Sequence, residues 1–445
     1  MTIATGPPII KRGTGLLLGA LALLATSCAT RLPPVTQAPQ ADREHNTRKE
    51  QEFVAFDSGY KEAKAQRIAR ARAFYGRVRE REAAGQNTSC SKQILWELKA
   101  LLTQTADFKL IDQRLVDLES SLAHPEREAE ADEQSPEDGS WGRCYTAWWG
   151  KLDASCDELG KAANKKHVLK YPPRFLDRVN SPEKLTAYLT SVSVSDIPRT
   201  GIDHLLEFNL SLSNLMRLIL RDRPQGYSWD PKLKLTIMDL LMNRFRNPAT
   251  GWWGERYVRD GQVVFVDDLS MTFHIVTYLH GDVSDLSRVV DTTLAVKDLD
   301  YPAGWLWKGQ YWNHNNMDVV ALFKAGWPRA SAAQKKAMAV EIEKMLHWCL
   351  TESLQADGLF KPHVADGSLE EGEYYAASFL GRIGFFDKSE RFWTDREFPE
   401  AAEVQQRIIA YILKHRSSGG SGGSYYESAL VDVFHYSATE PDGGK

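Results

Sequence analysis

From about residue 200 onward the apolar positions of this chain follow two alternating patterns. Gly followed by bulky residues recurs at Gly201-Ile202, Gly251-Trp252-Trp253, Gly304-Trp305-Leu306-Trp307 and Gly358-Leu359-Phe360, at steps of 50, 53 and 54 residues. Each Gly opens a loop that feeds a largely apolar helix: His204 to Leu220, Leu269 to Leu279, Asn315 to Phe323 and Glu371 to Ile383. Tyr425 to Phe434 closes the series after the Gly-Ser run Ser417 to Ser424. Between them lie more charged segments with apolar residues every third or fourth position: Pro231 to Phe245, Val283 to Val296, Ala330 to Leu350 and Phe398 to His415. That spacing predicts amphipathic helices.

A two-helix unit repeated at about 50 residues cannot bury its apolar face alone, so the pairs must stack. An open superhelix would make both helix layers amphipathic, whereas a closed α/α toroid buries an inner ring and turns its helix N-termini toward a central cavity. The apolar first helices predict a mainly α fold with an α/α toroid over residues 141–436. Strand signals are few; Gln262 to Val266, after the turn pair Asp260-Gly261, predicts half of a small hairpin.

Upstream, Phe53, Phe56, Tyr60, Ile68, Ala71, Tyr75 and Val78 step by three or four among Lys, Arg and Glu, predicting one amphipathic helix from Gln51 to Glu82. A second pattern through Ile94, Leu98, Leu102, Ile111, Leu115 and Leu122 completes an N-terminal helical hairpin, an arm over residues 51–125. The acidic run within residues 126–140 predicts an exposed loop and a boundary. Residues 29–50 carry Pro33-Pro34, Pro39 and no apolar period, which predicts a disordered tether; residues 437–445 predict a disordered tail.

The first 28 residues add a location. Lys11-Arg12, the apolar run Leu16 to Leu24 and then Ala25-Thr26-Ser27-Cys28 read as an export signal, too short to span a bilayer. The end of this run resembles the lipobox of bacterial lipoproteins, which implies lipidation of Cys28 and a membrane partner through that lipid. Ala29 after the Cys implies the outer membrane, at its periplasmic face. Four cysteines remain, and in an oxidising compartment Cys144 with Cys156, or Cys90 with one of them, are the pairings expected. With 445 residues, 26% charged and a formal charge of -4, the chain presents no basic field, which argues against a nucleic-acid partner. No CxxC occurs, so neither metal nor other cofactor is expected.

Polar residues cluster where the apolar helices begin: Asp203, His204, Glu207 and Asn209; Asp267, Asp268, Thr272 and His274; Tyr311, Asn313, His314, Asn315, Asn316 and Asp318; His363, Asp366, Glu370, Glu373, Tyr374 and Tyr375; Tyr425, Tyr426 and Glu427. Buried without partners such groups are costly, so they face a cavity or one another. Helical spacing puts Asp267, Met271, His274 and Tyr278 on one face, and Tyr311, His314 and Asp318 on another. A Tyr-His-Asp stripe orients an imidazole as a general base requires. Asp267 or Asp268 also suits a helix N-cap, and Trp253, Trp305, Trp307, Tyr374 and Tyr375 suit packing as well as ligand platforms.

Over residues 200 to 436 the repeat layout and the aromatic and Asn-His content resemble the α/α-toroid carbohydrate enzymes, the six-hairpin glycosidases and toroid polysaccharide lyases. The lyases carry Asn-Asn-His followed by Tyr-Trp; here Tyr311-Trp312 precede Asn313-His314-Asn315-Asn316. The resemblance implies an envelope lipoprotein that processes or binds a polysaccharide or peptidoglycan. As a lyase, Asn315 or Asn316 and His314 would neutralise a uronate carboxylate while Tyr311 or Tyr374 takes the C5 proton. As a hydrolase, Asp268 and Glu373 would flank the bond. The alternative is a non-catalytic, lipid-tethered helical scaffold or envelope assembly protein using the arm as its partner-binding element.

Overall fold

The computed structural model describes residues 43–165, 169–222, 227–361, 369–415 and 425–435. The export signal, Cys28, most of the tether, the Ser417 to Ser424 run, His363, Asp366 and the tail lie outside the described residues.

The repeat glycines have a steric reason. Gly201, Gly251 and Gly358 take positive φ, and at Gly304 a Cβ would come 2.3 Å from the Leu299 carbonyl oxygen. These turns release the predominantly apolar helices α7 (Leu205–Leu220), α9 (Leu269–Tyr278), α11 (Asn313–Gly326), α13 (Leu369–Arg382) and α15 (Tyr425–Ser428, prolonged by a π turn Ala429–Val433). In α11 every residue from Asn315 to Phe323 is buried, the mark of a helix enclosed on all sides. Each packs on the next: α7 on α9, α9 on α11, α11 on α13, α13 on α15. The intervening α8 (Leu233–Asp239, ending in a π turn), α10 (Leu286–Ala295), α12 (Ala332–Trp348) and α14 (Ala401–His415) bury one stripe only, such as Met338, Ile342, Met345 and Leu346 in α12. Ser331 and Gln334 close a capping box at the start of α12. α5 (Trp148–Lys165) packs on α7 at the head of the series, and α6 (Pro182–Ser191) on α8. The fold is mainly α, and the positions of both helix layers agree with the period read from the chain.

The expected hairpin is present as β2 (Gly254–Arg259) antiparallel to β3 (Gln262–Asp267), with Val194–Ser195, β1, added parallel to β2. The sheet ends at Asp267, so the strand delivers Asp268 directly to the start of α9.

The N-terminal region departs from expectation in three places. The single helix from Gln51 to Glu82 is two, α1 (His45–Phe56) and α2 (Tyr60–Ala83), broken at Asp57-Ser58-Gly59 where the Asp57 carboxylate accepts the Gly59 amide at 2.8 Å. The last residues of the expected tether are therefore helical, and His45 is buried. The arm contains three helices, since α2 packs on both α3 (Ser89–Gln104) and α4 (Phe108–Ala123) around Val78, Ile94, Leu98, Leu115 and Leu118. The acidic stretch forms a 3-10 turn, Pro125–Asp132, whose Glu128 is buried and accepts from the Ser91 amide and hydroxyl at 2.9 and 2.5 Å. An anion at the first turn of α3 satisfies free N-H groups and the helix dipole. Cys90 and Cys144 form a disulfide that staples this arm to the following segment, while Cys156 and Cys349 are free and buried.

Candidate functional site

Asp268 caps α9. Its Oδ1 accepts from the Met271 amide at 2.6 Å and from Asn209 Nδ2 of α7 at 3.5 Å, and its Oδ2, fully buried, has no hydrogen-bond partner. The N-cap reading thus accounts for one oxygen and leaves the other. On α11, Asp318 is fully buried with neither oxygen partnered, and both amide atoms of Asn316 are in the same condition. Burial drives the Asp268 carboxyl up to about 7 against the stabilising amides of Met271 and Ser270, with Asp267 and Asp203 adding to it. Asp318 is pushed well above the usual carboxylate range by burial, Arg382 opposing and Asp268 adding. The two acids therefore belong to one electrostatic unit. Tyr301 joins it: burial, then the charges of Asp268 and Asp318, raise its phenol far above normal, with Ser270 opposing.

His274 and His314 form the next part. Each is half-buried and each Nδ1 is unpartnered. Burial brings His274 down to about 4, helped by Arg382 and Arg217, and His314 down to about 3, helped by His274 and by Lys99 of the arm. Both are neutral imidazoles at physiological pH. The His314 ring lies flat on Tyr375 of α13, centroids 3.8 Å apart at 6°, with Trp312 edge-on at 4.7 Å. Trp307 lies 5.4 Å from Trp312 and 6.2 Å from Tyr301, and Tyr374 stands edge-on to Tyr375. Tyr301, Trp307, His274, His314, Tyr374 and Tyr375 keep some accessible surface, whereas Asp268 and Asp318 keep none.

The remaining expected residues lie elsewhere. Asn313 donates to Ser353 Oγ at 2.9 Å and Asn315 to the Trp305 carbonyl at 2.8 Å, so both Nδ2 groups fasten the start of α11. Trp253 donates to the Leu241 carbonyl at 2.7 Å within the core, and Trp305 packs edge-on against Phe323; both are fully buried, which makes them packing residues. Tyr311 precedes Trp312, the N-cap of α11, so the helical spacing that joined it to His314 and Asp318 does not apply. It lines an outer groove of about 470 Å³ with Glu343, Lys344, His347, Trp348 and Glu352. Asp267 belongs to β3 and accepts from Asn247 at 2.9 Å, leaving His274 and Tyr278 as the pair that shares a face of α9.

Glu373 is likewise set apart from Asp268. Its Oε1 accepts the Phe360 amide at 2.6 Å, its Oε2 is unpartnered, and its electrostatic neighbours are Asp357, Cys349, Tyr411 and Tyr426. Glu373 and Tyr375 are two residues apart on α13, about 200° around the helix, so Glu373 points away from the face on which Tyr375 meets His314. Burial raises the Glu373 carboxyl well above its normal range.

Sequence reasoning gave no site role to Tyr301, Trp312 or Arg382. Tyr301 sits in a loop with no period to mark it; Arg382 carried a signal, an isolated cation closing the apolar run Ala376 to Leu380.

A second polar cluster borders this one. Lys49 of α1 forms an ion pair with the fully buried Asp203, whose Oδ1 also accepts from Tyr257 at 2.9 Å. Glu255 accepts from Ser195 and Tyr257, and Arg259 reaches Glu52 at 2.8 Å and His45 at 3.1 Å. Burial works against the Asp203 charge, yet the Lys49 ammonium holds its carboxyl below the normal range. Asn46 donates to the Tyr301 carbonyl at 2.9 Å, so α1 touches the loop that carries Tyr301. Among the described residues no group of three His, Cys, Asp or Glu side chains is placed to hold a metal ion. Comparison with protein-family models, curated proteins and solved structures yields no match.

Proposed function

We propose that the helix succession α7 to α15 closes into an α/α toroid whose recess hydrolyses a polysaccharide, with Asp318 as proton donor and Asp268 as base. The observation that carries this reading is a pair of buried carboxyls on neighbouring helices with three oxygens free of protein partners, Asp268 Oδ2 and both of Asp318. Glycoside hydrolysis needs two carboxyl groups in different protonation states. Asp318, held neutral, has the proton to give; Asp268, at about 7, is poised to take one at neutral pH. Tyr301, Trp307, Trp312 and Tyr375 supply ring faces and edges for sugar contact, and the neutral His274 and His314 offer hydrogen bonds to hydroxyls. Asp318 takes the place that Glu373 held in the sequence-based pairing. The lyase alternative loses Tyr311, which faces the outer groove. We also propose that Cys28 carries a lipid at the periplasmic face of the outer membrane; Cys28→Ala protein that still fractionates with membranes would refute the anchor.

The test is release of new reducing ends from uronate polymers, neutral glucans and peptidoglycan by the purified protein. Asp318→Asn and Asp268→Asn should each reduce the rate by about 10²–10⁴-fold; no cleavage of any polymer defeats the reading. A non-catalytic scaffold is the second reading, favoured by the His314–Tyr375 stack, which already occupies one face of each ring. It predicts that Asp318→Asn and His314→Ala leave cellular function intact while deletion of residues 51–122 abolishes it.

A further inference from the structure

The outer groove that Tyr311 lines has two walls. One is Tyr311 itself, just ahead of α11. The other is the end of α12, with Glu343, Lys344, His347 and Trp348, continued by the π turn Cys349–Ser353 that carries Glu352. A buried hydrogen bond fastens the two, Asn313 Nδ2 to Ser353 Oγ at 2.9 Å, so the walls are set before anything binds. At about 470 Å³ the groove has the size of a small-ligand cleft.

Its corner is aromatic. The Tyr311 and Trp348 rings stand 5.9 Å apart at 53°, tilted so that neither covers the other, and both side chains are half-buried. A ring face attracts a cation through its quadrupole. Two other half-buried tryptophans of this chain receive one from within, Lys335 at 5.6 Å from the Trp327 centroid and Arg178 at 5.1 Å from that of Trp148. Among the described residues no Lys or Arg lies over Trp348 or Tyr311. Lys344 is one turn from Trp348, yet its ammonium pairs with Glu341 at 2.9 Å.

The charges around the corner favour the same kind of guest. Glu343 is taken by Arg396 at 2.8 Å, and Glu341 by Lys297 and Lys344 at 2.9 Å each. Glu352 is exposed and forms no ion pair among the described residues. Burial raises the Tyr311 hydroxyl, with Glu341 and Asp298 adding and Lys297 opposing, and Asp298 is likewise unpaired among the described residues. Two free carboxylates therefore stand by the rings while Lys297, Lys344 and Arg396 are committed.

We infer that this groove is a binding site for an organic monocation, an alkylammonium group held against Trp348 and Tyr311 with Glu352 as its counter-charge. None of the six lining residues belongs to the Asp268 and Asp318 unit, so the site is independent of the proposed hydrolase. Two sources share the chemistry, the primary ammonium of a lysine-like amine and a quaternary ammonium headgroup.

The test follows the Trp348 indole N-H signal by NMR in the purified protein, the signal being identified by its absence from Trp348→Phe. The probes are n-butylammonium, choline, and the uncharged pentan-1-ol and 3,3-dimethylbutan-1-ol that match them in shape. At least one cation should shift the signal saturably and bind at least tenfold more tightly than its neutral counterpart; a tighter butylammonium points to an amine, a tighter choline to a headgroup. Glu352→Gln should lower cation affinity about three- to tenfold and leave the neutral probes unchanged, with the preference weakening as salt is raised. Trp348→Leu, followed by calorimetry, should abolish the preference. If Trp348→Leu fails to fold, Glu352→Gln, a change at an exposed position, decides alone. No saturable shift with either cation, equal affinity for cation and neutral counterpart, or a preference untouched by Glu352→Gln overturns the assignment.

Discussion

Replacing Asp268 with Asn should stabilise the protein at neutral pH. Asn keeps the side-chain oxygen that accepts the Met271 amide at 2.6 Å, so the N-cap of α9 survives. What disappears is a proton that folding must take up. The carboxyl moves from its ordinary 3.8 in the open chain to about 7 in the fold. Between those values the native state binds more protons than the unfolded state, so wild-type stability falls as pH rises through this window. Each tenfold in proton affinity is about 1.4 kcal/mol, which makes the accumulated cost at pH 7 about 4 kcal/mol. The Asn variant carries no such slope at this position. Thermal and urea unfolding of both proteins across pH 4 to 8, followed by circular dichroism and tryptophan fluorescence, should show the gap widening in favour of Asn up to about pH 7 and then levelling. A constant gap across the range would mean that the Asp268 carboxyl is unshifted in the fold, and a variant weakened most at neutral pH would mean that it is ionised and paired there; the acid–base assignment fails with either.

Lys49→Met leaves Asp203 buried and uncompensated and should destabilise the protein by about 3–5 kcal/mol, with Asp203→Asn in the same chain restoring most of the loss. Because Lys49 holds the Asp203 carboxyl low, that defect is full at neutral pH and fades as pH falls below about 4, where the acid protonates in either state; a defect unchanged at acid pH would contradict it. Reduction of Cys90–Cys144, which closes 54 residues of chain, should cost up to about 4 kcal/mol and hasten proteolysis within residues 60–123, read by peptide mapping with and without reductant. Trp305→Ala should cost about 3–5 kcal/mol of stability; loss of ligand affinity in a fully stable variant would reverse its assignment to the core.

The helix layers were legible because two signals agreed, an enclosed apolar helix after each Gly turn and a one-sided helix after that. The break between α1 and α2 was hidden because Phe53, Phe56 and Tyr60 keep steps of three and four across Asp57-Ser58-Gly59. Hydropathy also cannot see a charged residue buried by pairing, so His45 and Lys49 looked like tether. At the site, Asp268, Asp318, His274 and His314 stood out as polar groups at apolar helix starts, which is a local property. Their partners were not local. Whether Tyr311 or Tyr375 meets His314 depends on where α11 begins to within two residues, and Glu373 could be placed only once the face of α13 that holds Tyr375 was known.

The Asn46 bond to the Tyr301 carbonyl also sets a mechanical path. Force applied along the N-terminal chain would reach α1 first, and α1 is fixed to the body through Lys49, Glu52 and Asn46. Tension is then shared between the β2–β3 sheet and the loop of Tyr301, upstream of the arm. A probe that pulls on the protein from its N-terminal side would report on the loop of Tyr301 before it reports on any helix of the arm. A truncation starting after Phe56 would cut that path and strip Asp203 of its cation in one step.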